Sequence, residues 1–304
     1  MGFGLNTTSP LKLGIIGMSD GNGHPYSWSA IINGYDPAAM AECPFPAIPA
    51  YLGERQFPED QLKGAHVTHI WTQDAALSAH IGRASLIPNV VTHPQEMVGQ
   101  VDALLLARDD AENHLKLATP FLAAGLPVYL DKPVALSVAD LDQLFTHART
   151  AEQIFSCSAL RFAHELRLTP AEVELVGRVV HVSGVTPKSW ERYGVHVIDP
   201  ILSFLEPGEL VGAESEVKGK AVRVTTRWES GCTGDIRATG DSNGEISLTY
   251  IGERASLKKI FVDSFSAFRE ALRVFLEGVR LGRSYTEYAH LREVATLIAM
   301  GRNC

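Results

Sequence analysis

Three stretches of this sequence carry side chains of the types and spacing that chemistry needs. The first is Gly14-Ile-Ile-Gly17-Met-Ser-Asp-Gly-Asn-Gly23, a glycine-rich turn between an apolar run and a helical pattern. At the end of a parallel strand such a turn lets a pyrophosphate rest on backbone N–H groups at a helix N-terminus, and glycine permits the close approach. Strict GxGxxG is absent: Gly17 fits the first position, Ser19 takes the second, and Asp20–Gly23 lengthen the loop. Alone, the pattern also describes an ordinary turn. The second stretch is Val128-Tyr-Leu-Asp-Lys-Pro133, an apolar strand ending in Asp-Lys-Pro. A lysine at the carboxyl edge of a sheet can hydrogen-bond a substrate hydroxyl and lower its pKa, or contact a nicotinamide ribose; the plain alternative is a solvated lysine. The third is Tyr193-Gly-Val-His196-Val-Ile-Asp199. In a helix His196 and Asp199, at i and i+3, share a face, so the carboxylate can orient the imidazole or join it in binding a polyol. Histidine titrates near working pH, which suits proton transfer coupled to hydride transfer, although a lone histidine is more often structural.

The elements that must position these residues follow from the hydrophobic pattern. From residue 11 to about 160, β-rich runs alternate with helical stretches, the signal for βαβ units and a parallel sheet. Strands are predicted at Leu11–Gly17, Val67–Thr72, Asn89–Thr92, Val101–Ala107, Val128–Leu130 and Gln153–Ser158, and helices near Tyr26–Gly34, Ala75–Ala84, Asn113–Ala124 and Val138–Thr150. Gly125-Leu-Pro stops the third helix. Asp36–Pro58, with five prolines, interrupts the rhythm and reads as an irregular insertion: a flap, a partner surface or a packed arm. Beyond residue 160 the pattern turns to strands at Arg178–Val185, Val217–Glu229, Thr233–Thr239 and Glu245–Ile251, with Asp241-Ser-Asn-Gly244 as a tight turn between antiparallel strands. Helical periodicity returns at Ser264–Leu281 and Tyr288–Met300. The expected fold is α/β plus α+β: an N-terminal Rossmann domain with a doubly wound parallel sheet over residues 1–133, including the insertion at 36–58, and a C-terminal domain over 134–304 on an open, mostly antiparallel sheet. The last helix is a candidate to pack back on the first domain.

An acidic residue after the second strand would hold the adenosine ribose of NAD. Here the tip is Thr72-Gln73, with Asp74 a little late, so NAD and NADP both remain open. His66 and His69 fall on opposite faces of a strand, which argues against a metal pair, and no metal site is assigned.

Composition narrows the class. The 304 residues suit two domains of ordinary size. With 45% hydrophobic and 20% charged residues the chain is far from the composition of disorder. The net charge of −8, without any basic run, argues against nucleic acid as a partner. No apolar stretch approaches the ~20 residues of a membrane span, and Met1–Pro10 lacks the features of a secretory signal, so no membrane association and a cytoplasmic location are expected. Cys43, Cys157, Cys232 and Cys304 form no CxxC pair, which argues against a zinc knuckle or a redox dithiol.

Taken in order over Leu11–Leu205, these pieces resemble the Gfo/Idh/MocA oxidoreductases, the glucose-fructose oxidoreductase and inositol dehydrogenase superfamily. The resemblance rests on the Gly14–Gly23 turn, Gln100-Val-Asp-Ala-Leu-Leu-Leu-Ala107 with His114 in the next helix, and Ala124-Gly-Leu-Pro-Val-Tyr-Leu-Asp-Lys-Pro133. Arg161-Phe162 and Gly194-Val-His196-Val-Ile-Asp199 complete it. It implies NAD or NADP as cofactor, a sugar, nucleotide sugar or polyol as substrate, and a homo-oligomer, dimer or tetramer. By the same resemblance Lys132 matches the active-site lysine and His196 the catalytic histidine, with Asp199 holding His196 or a neighbouring hydroxyl. Gly17, Met18, Ser19, Asp20, Gly21, Thr72, Gln73, Arg108 and Lys132 are assigned to the cofactor, and Arg161, Trp190 and Arg192 to the substrate. Family members often carry an aspartate four residues before the histidine, where this chain has Arg192, a charge that either favours an acidic substrate or pairs with Glu191 or another internal carboxylate and faces away from the cleft. Two other classes stay open: a dinucleotide-binding sensor or partner subunit without turnover, and a lyase or glycosidase that uses NAD for transient oxidation.

Overall fold

A computed structural model describes residues 9–240 and 243–302. The chain divides into two compact units, one of Met1–Val134, Asp142–Ser156 and Phe268–Glu287, the other of Ala135–Leu141, Cys157–Ala267 and Tyr288–Cys304.

In the first unit β1 (Leu11–Ile16), β2 (Ala65–Trp71), β3 (Asn89–Val90), β4 (Ala103–Leu106), β5 (Val128–Leu130) and β6 (Ile154–Phe155) form one sheet in the order β3-β2-β1-β4-β5-β6. Every pair is parallel. The order is that of the doubly wound Rossmann sheet, whose switch point lies between β1 and β4. All four residues of β4 and all three of β5 are buried, as apolar runs of this kind require. The helices are α1 (His24–Asn33), α2 (Pro37–Met40), α3 (Ala47–Gly53), α4 (Ala75–Ala84), α5 (His114–Ala124) and α6 (Val138–His147), which straddles the division between the units. Asp74 caps α4 by accepting from Ala76 and Leu77 N–H, and α5 ends on Gly125 at φ 90°, a conformation that favours glycine.

The insertion is more ordered than its prolines suggest. Asp36 caps α2 with Pro37 in the first turn, where its missing N–H costs nothing, and α3 follows. Tyr51 of α3 donates to Ser27 Oγ of α1 at 2.5 Å, and a Cβ at Gly23 would lie 2.6 Å from Ile48 Cδ1. The segment is a packed arm against the glycine loop.

The second unit holds α7 (Pro170–Val176), β7 (Val179–Thr186), α8 (Trp190–Tyr193), α9 (Val195–Leu205), β8 (Leu210–Lys218), β9 (Ala221–Trp228), β10 (Thr233–Ala238), β11 (Ser247–Gly252) and β12 (Ser256–Ile260). Helix α10 (Ser264–Leu281) begins there and continues into the first unit, and α11 (Tyr288–Arg302) lies in the second. The sheet order is β12-β11-β7-β10-β9-β8, antiparallel except for β7 with β10. Two expectations need correction. Asp241 and Ser242 of the expected tight turn lie outside the described residues, but β10 and β11 are not partners, because each pairs with β7 on an opposite side. Alternation reports which face a strand buries, not which strand it pairs with. The run Val217–Glu229 is not one strand either: Gly219, at φ 61°, turns the chain between β8 and β9. Trp190, Trp228 and Tyr250 centre the core of this unit. Among the described residues no helix is long and apolar enough to cross a membrane.

Candidate active site

Each unit gathers polar side chains around a buried aspartate. In the first, β1 delivers Gly17 to the carboxyl edge of the sheet, where its N–H donates to Trp71 O (3.0 Å). A Cβ at Gly17 would lie 2.3 Å from Pro25 Cγ. The first turn of α1 therefore demands glycine here in its own right, beside any close approach of a pyrophosphate. Met18 is held by Gln73, which accepts from Met18 N–H (3.1 Å) and donates to its carbonyl (2.6 Å). Ser19 Oγ donates to Asp109 Oδ1 (2.6 Å) and accepts from Asp109 N–H (3.1 Å). Asp20 and Gly21 are exposed.

Lys132 follows β5 and is 5% exposed, with Nζ 3.4 Å from Asp109 Oδ2. Its backbone N–H donates to Asp131 Oδ1 (2.7 Å). Asp131 Oδ2 also accepts from Asn22 Nδ2 (2.8 Å) and His24 Nδ1 (2.6 Å), and the His24 ring stacks on Trp28 at 5.0 Å. Burial pushes the Asp131 carboxyl up, but the His24 and Lys132 charges and the hydrogen bonds outweigh it and hold the group well below the usual carboxylate range. Arg108 donates to Gln73 Oε1 (3.0 Å) and grips Asp110 through Nε and Nη2 (2.9 and 2.5 Å). The grip overcomes the cost of burial, so the Asp110 pKa is lowered. Thr72 is turned inward, bonded to Asp74 O (2.6 Å) and Ser78 Oγ (2.8 Å), and Asp74 is engaged as the α4 cap.

These residues fit a dinucleotide. The loop sits at the switch point of the sheet, and among the described residues Ser19 and Gly21 donate their backbone N–H to no acceptor. Gly21, at φ 77°, has nothing within 4 Å of a built Cβ, so the loop is open to a ligand there.

In the second unit α9 presents His196 and Asp199. His196 Nδ1 meets Ser158 Oγ at 3.0 Å, and the Tyr193 ring of α8 stands at 5.3 Å. Asp199 does not hold His196 directly. It accepts from Ser158 N–H (2.6 Å) and from Arg161 Nε and Nη2 (3.0 and 2.5 Å), with His290 Nε2 at 2.7 Å and Ser203 Oγ at 3.3 Å. The carboxylate thus fixes the residue whose hydroxyl fixes the histidine. Burial pushes the Asp199 pKa up, while Arg161 and His290 together bring it well below the usual range. Arg161 Nη2 also contacts His290 Nε2. One ring nitrogen cannot accept from Arg161 and donate to Asp199 at once, so the tautomer of His290 selects between them.

Of the residues expected at substrate, Arg161 thus lies in this cluster. Trp190 does not: it is 1% exposed in the core, and its Nε1 donates to Ile298 O (2.9 Å). Arg192 is a half-buried residue of α8. Asn22, His24, Asp109, Asp131, Ser158 and His290 were not singled out from the sequence. Asp109 and Asp131 carried a signal in retrospect, since each closely follows a strand that ends beside the switch point; His290, one polar residue on an amphipathic helix, carried none.

Residues 50–158 match the model of the Gfo/Idh/MocA family, described as an oxidoreductase family with an NAD-binding Rossmann fold. The resemblance drawn from the motifs stands on that segment. No curated protein matches the sequence. Among solved structures, a probable dehydrogenase from Thermotoga maritima is similar at a TM-score of 0.72 with 13% identity, covering 97% of this chain and 98% of that one. Myo-inositol 2-dehydrogenase from Lactobacillus plantarum gives 0.72 with 12% identity and the same coverage. UDP-N-acetylglucosamine 3-dehydrogenase from Acidithiobacillus ferrooxidans gives 0.68 with 13% identity, covering 96% and 97%. At these identities the likeness is one of fold.

Proposed function

We propose that this protein is an NAD(P)-dependent oxidoreductase acting on a CH–OH group of a sugar, nucleotide sugar or polyol. The observation that carries the reading is Lys132: a lysine 5% exposed, at the carboxyl edge of a parallel sheet, in a segment that matches the NAD-binding Rossmann model. The neighbours named as dehydrogenases of inositol and of a nucleotide sugar support the substrate class.

A bound nicotinamide would supply the hydride acceptor or donor. The protein supplies the rest. Ser19 and Gly21 offer N–H groups to phosphate oxygens. Lys132, kept in place by Asp109, orients the substrate oxygen and stabilises negative charge on it. His196, its ring fixed by Ser158, takes the hydroxyl proton. Asp199, held below the usual carboxylate range by Arg161 and His290, acts by positioning Ser158. The open outer face of the second sheet, with Arg223 and Asp235 paired at 2.7 Å, is the proposed contact between copies in a homo-oligomer.

Titration of the purified protein with NADH and NADPH, followed by the fluorescence of the bound nicotinamide, tests this reading. Saturable binding of at least one is expected, and weaker binding in a Gly21→Val variant that melts as a folded protein. Absence of binding by both refutes the proposal.

A further inference from the structure

A cavity of about 570 Å³ opens in the second unit, bounded by α7, the start of β7, the C-terminal end of α9 and the turn between β9 and β10. Its volume falls within the range of small-molecule sites, roughly 300–1,000 Å³. Leu168, Val173, Val179 and Phe204 supply apolar wall. The charge that matters is Arg167, whose guanidinium carbon stands 4.6 Å above the Phe204 ring. Its Nη2 donates to Arg161 O (3.2 Å), and its other N–H groups find no acceptor among the described residues. Arg178, which also lines the cavity, is already bound to Glu253 at 2.8 Å. Arg167 and Glu206 are both exposed residues of the lining, and neither is ion-paired among the described residues.

A guanidinium laid flat on an aromatic ring keeps its edge for ligands, and the planar fork suits carboxylate or sulfonate oxygens. The apolar walls select a molecule with an apolar body over an inorganic anion. We infer that this cavity binds an organic acid, one carboxylate or sulfonate head on an apolar body, with Arg167 holding the head. The site is independent of the proposed oxidoreductase activity, yet it touches the same framework. Arg167 holds the carbonyl of Arg161, and Ser203, another lining residue, donates to Asp199 Oδ1 (3.3 Å).

The test uses the full chain and two dyes of one ring system: 8-anilinonaphthalene-1-sulfonate, and N-phenyl-1-naphthylamine, which lacks the sulfonate. Wild type should bind the sulfonate saturably at one equivalent. Arg167→Met, which keeps the stem over Phe204, should weaken the sulfonate about tenfold or more, the scale of a lost charge-assisted contact, and leave the amine within about twofold. Val173, 50% exposed on α7, tolerates a larger side chain, so Val173→Trp should weaken both dyes by filling the mouth. The inference is overturned if wild type shows no saturable sulfonate binding, or if Arg167→Met weakens both dyes equally or neither. Wild-type sulfonate affinity in Val173→Trp places the dye elsewhere and overturns it too, whether or not Arg167→Met folds.

Discussion

Two buried aspartates solve the same problem with different partners. Asp131 and Asp199 are each 1% exposed, and each is held well below the usual carboxylate range despite burial. Asp131 depends on His24, Asn22 and the neighbouring Lys132; Asp199 depends on Arg161, His290 and a backbone N–H. Arg161 donates twice to Asp199 and keeps its charge when the carboxylate is lost, whereas Asp131 is met by single donors from Asn22, His24 and the Lys132 backbone. The first cluster is therefore forgiving and the second rigid. In both, the aspartate holds neighbouring polar groups in place.

The largest effect expected from this contrast is on stability. Asp199→Asn leaves Arg161, 12% exposed, without its carboxylate and should cost about 3–5 kcal/mol, the scale for breaking a buried pair. Asp131→Asn should cost less, about 1–3 kcal/mol, the range for one imperfectly satisfied buried group. Urea denaturation of the two variants measures both; an equal or reversed order breaks the comparison.

Acid sharpens it. Both folded pKa values are depressed, so the stability these groups supply is complete above the ordinary aspartate value near 3.9 and is lost as pH falls toward their lower folded values. The urea midpoint of wild type should fall below about pH 4, and the Asp199→Asn variant should fall less steeply. Parallel curves would mean that Asp199 is not depressed.

Smaller effects separate the two loop glycines. Gly21→Ala introduces only backbone strain at φ 77°, about 1–2 kcal/mol, because a Cβ there meets nothing. Gly17→Ala should cost more, since its Cβ would collide with Pro25. Thermal melting ranks them. Gln73→Ala is expected to be smallest, within about 1 kcal/mol, with dinucleotide affinity reduced a few fold as the Met18 peptide loses its clamp.

Within the candidate site, Lys132 and His196 are residues legible in the sequence, because each lies in a local motif whose spacing survives folding. The parallel sheet was legible for a similar reason: apolar runs alternating with helical periods are a local record of βαβ units. The partners were not. Ser19 and Asp109 are 90 residues apart, Arg161 and His290 are 129 apart, and no local pattern records such a meeting. The pairing of β10 and β11 with β7 was hidden likewise, because a strand's alternation is the same whichever neighbour it joins. The helices of the insertion were missed for the opposite reason: prolines at their starts read as breakers until Asp36 is seen to cap one of them.

The central claim of the proposal is that the protein binds a dinucleotide and that His196 takes the substrate proton. It is tested most directly by following reduced-nicotinamide absorbance with NAD⁺ and NADP⁺ against a panel of polyols, sugars and nucleotide sugars, in wild type and in His196→Ala. The account predicts turnover of at least one substrate by wild type and a loss of about 10²-fold or more in kcat for His196→Ala, the scale of a positioned acid or base, with dinucleotide affinity nearly unchanged. Near-normal turnover by His196→Ala, or dinucleotide binding without turnover of any substrate in the panel, would contradict it.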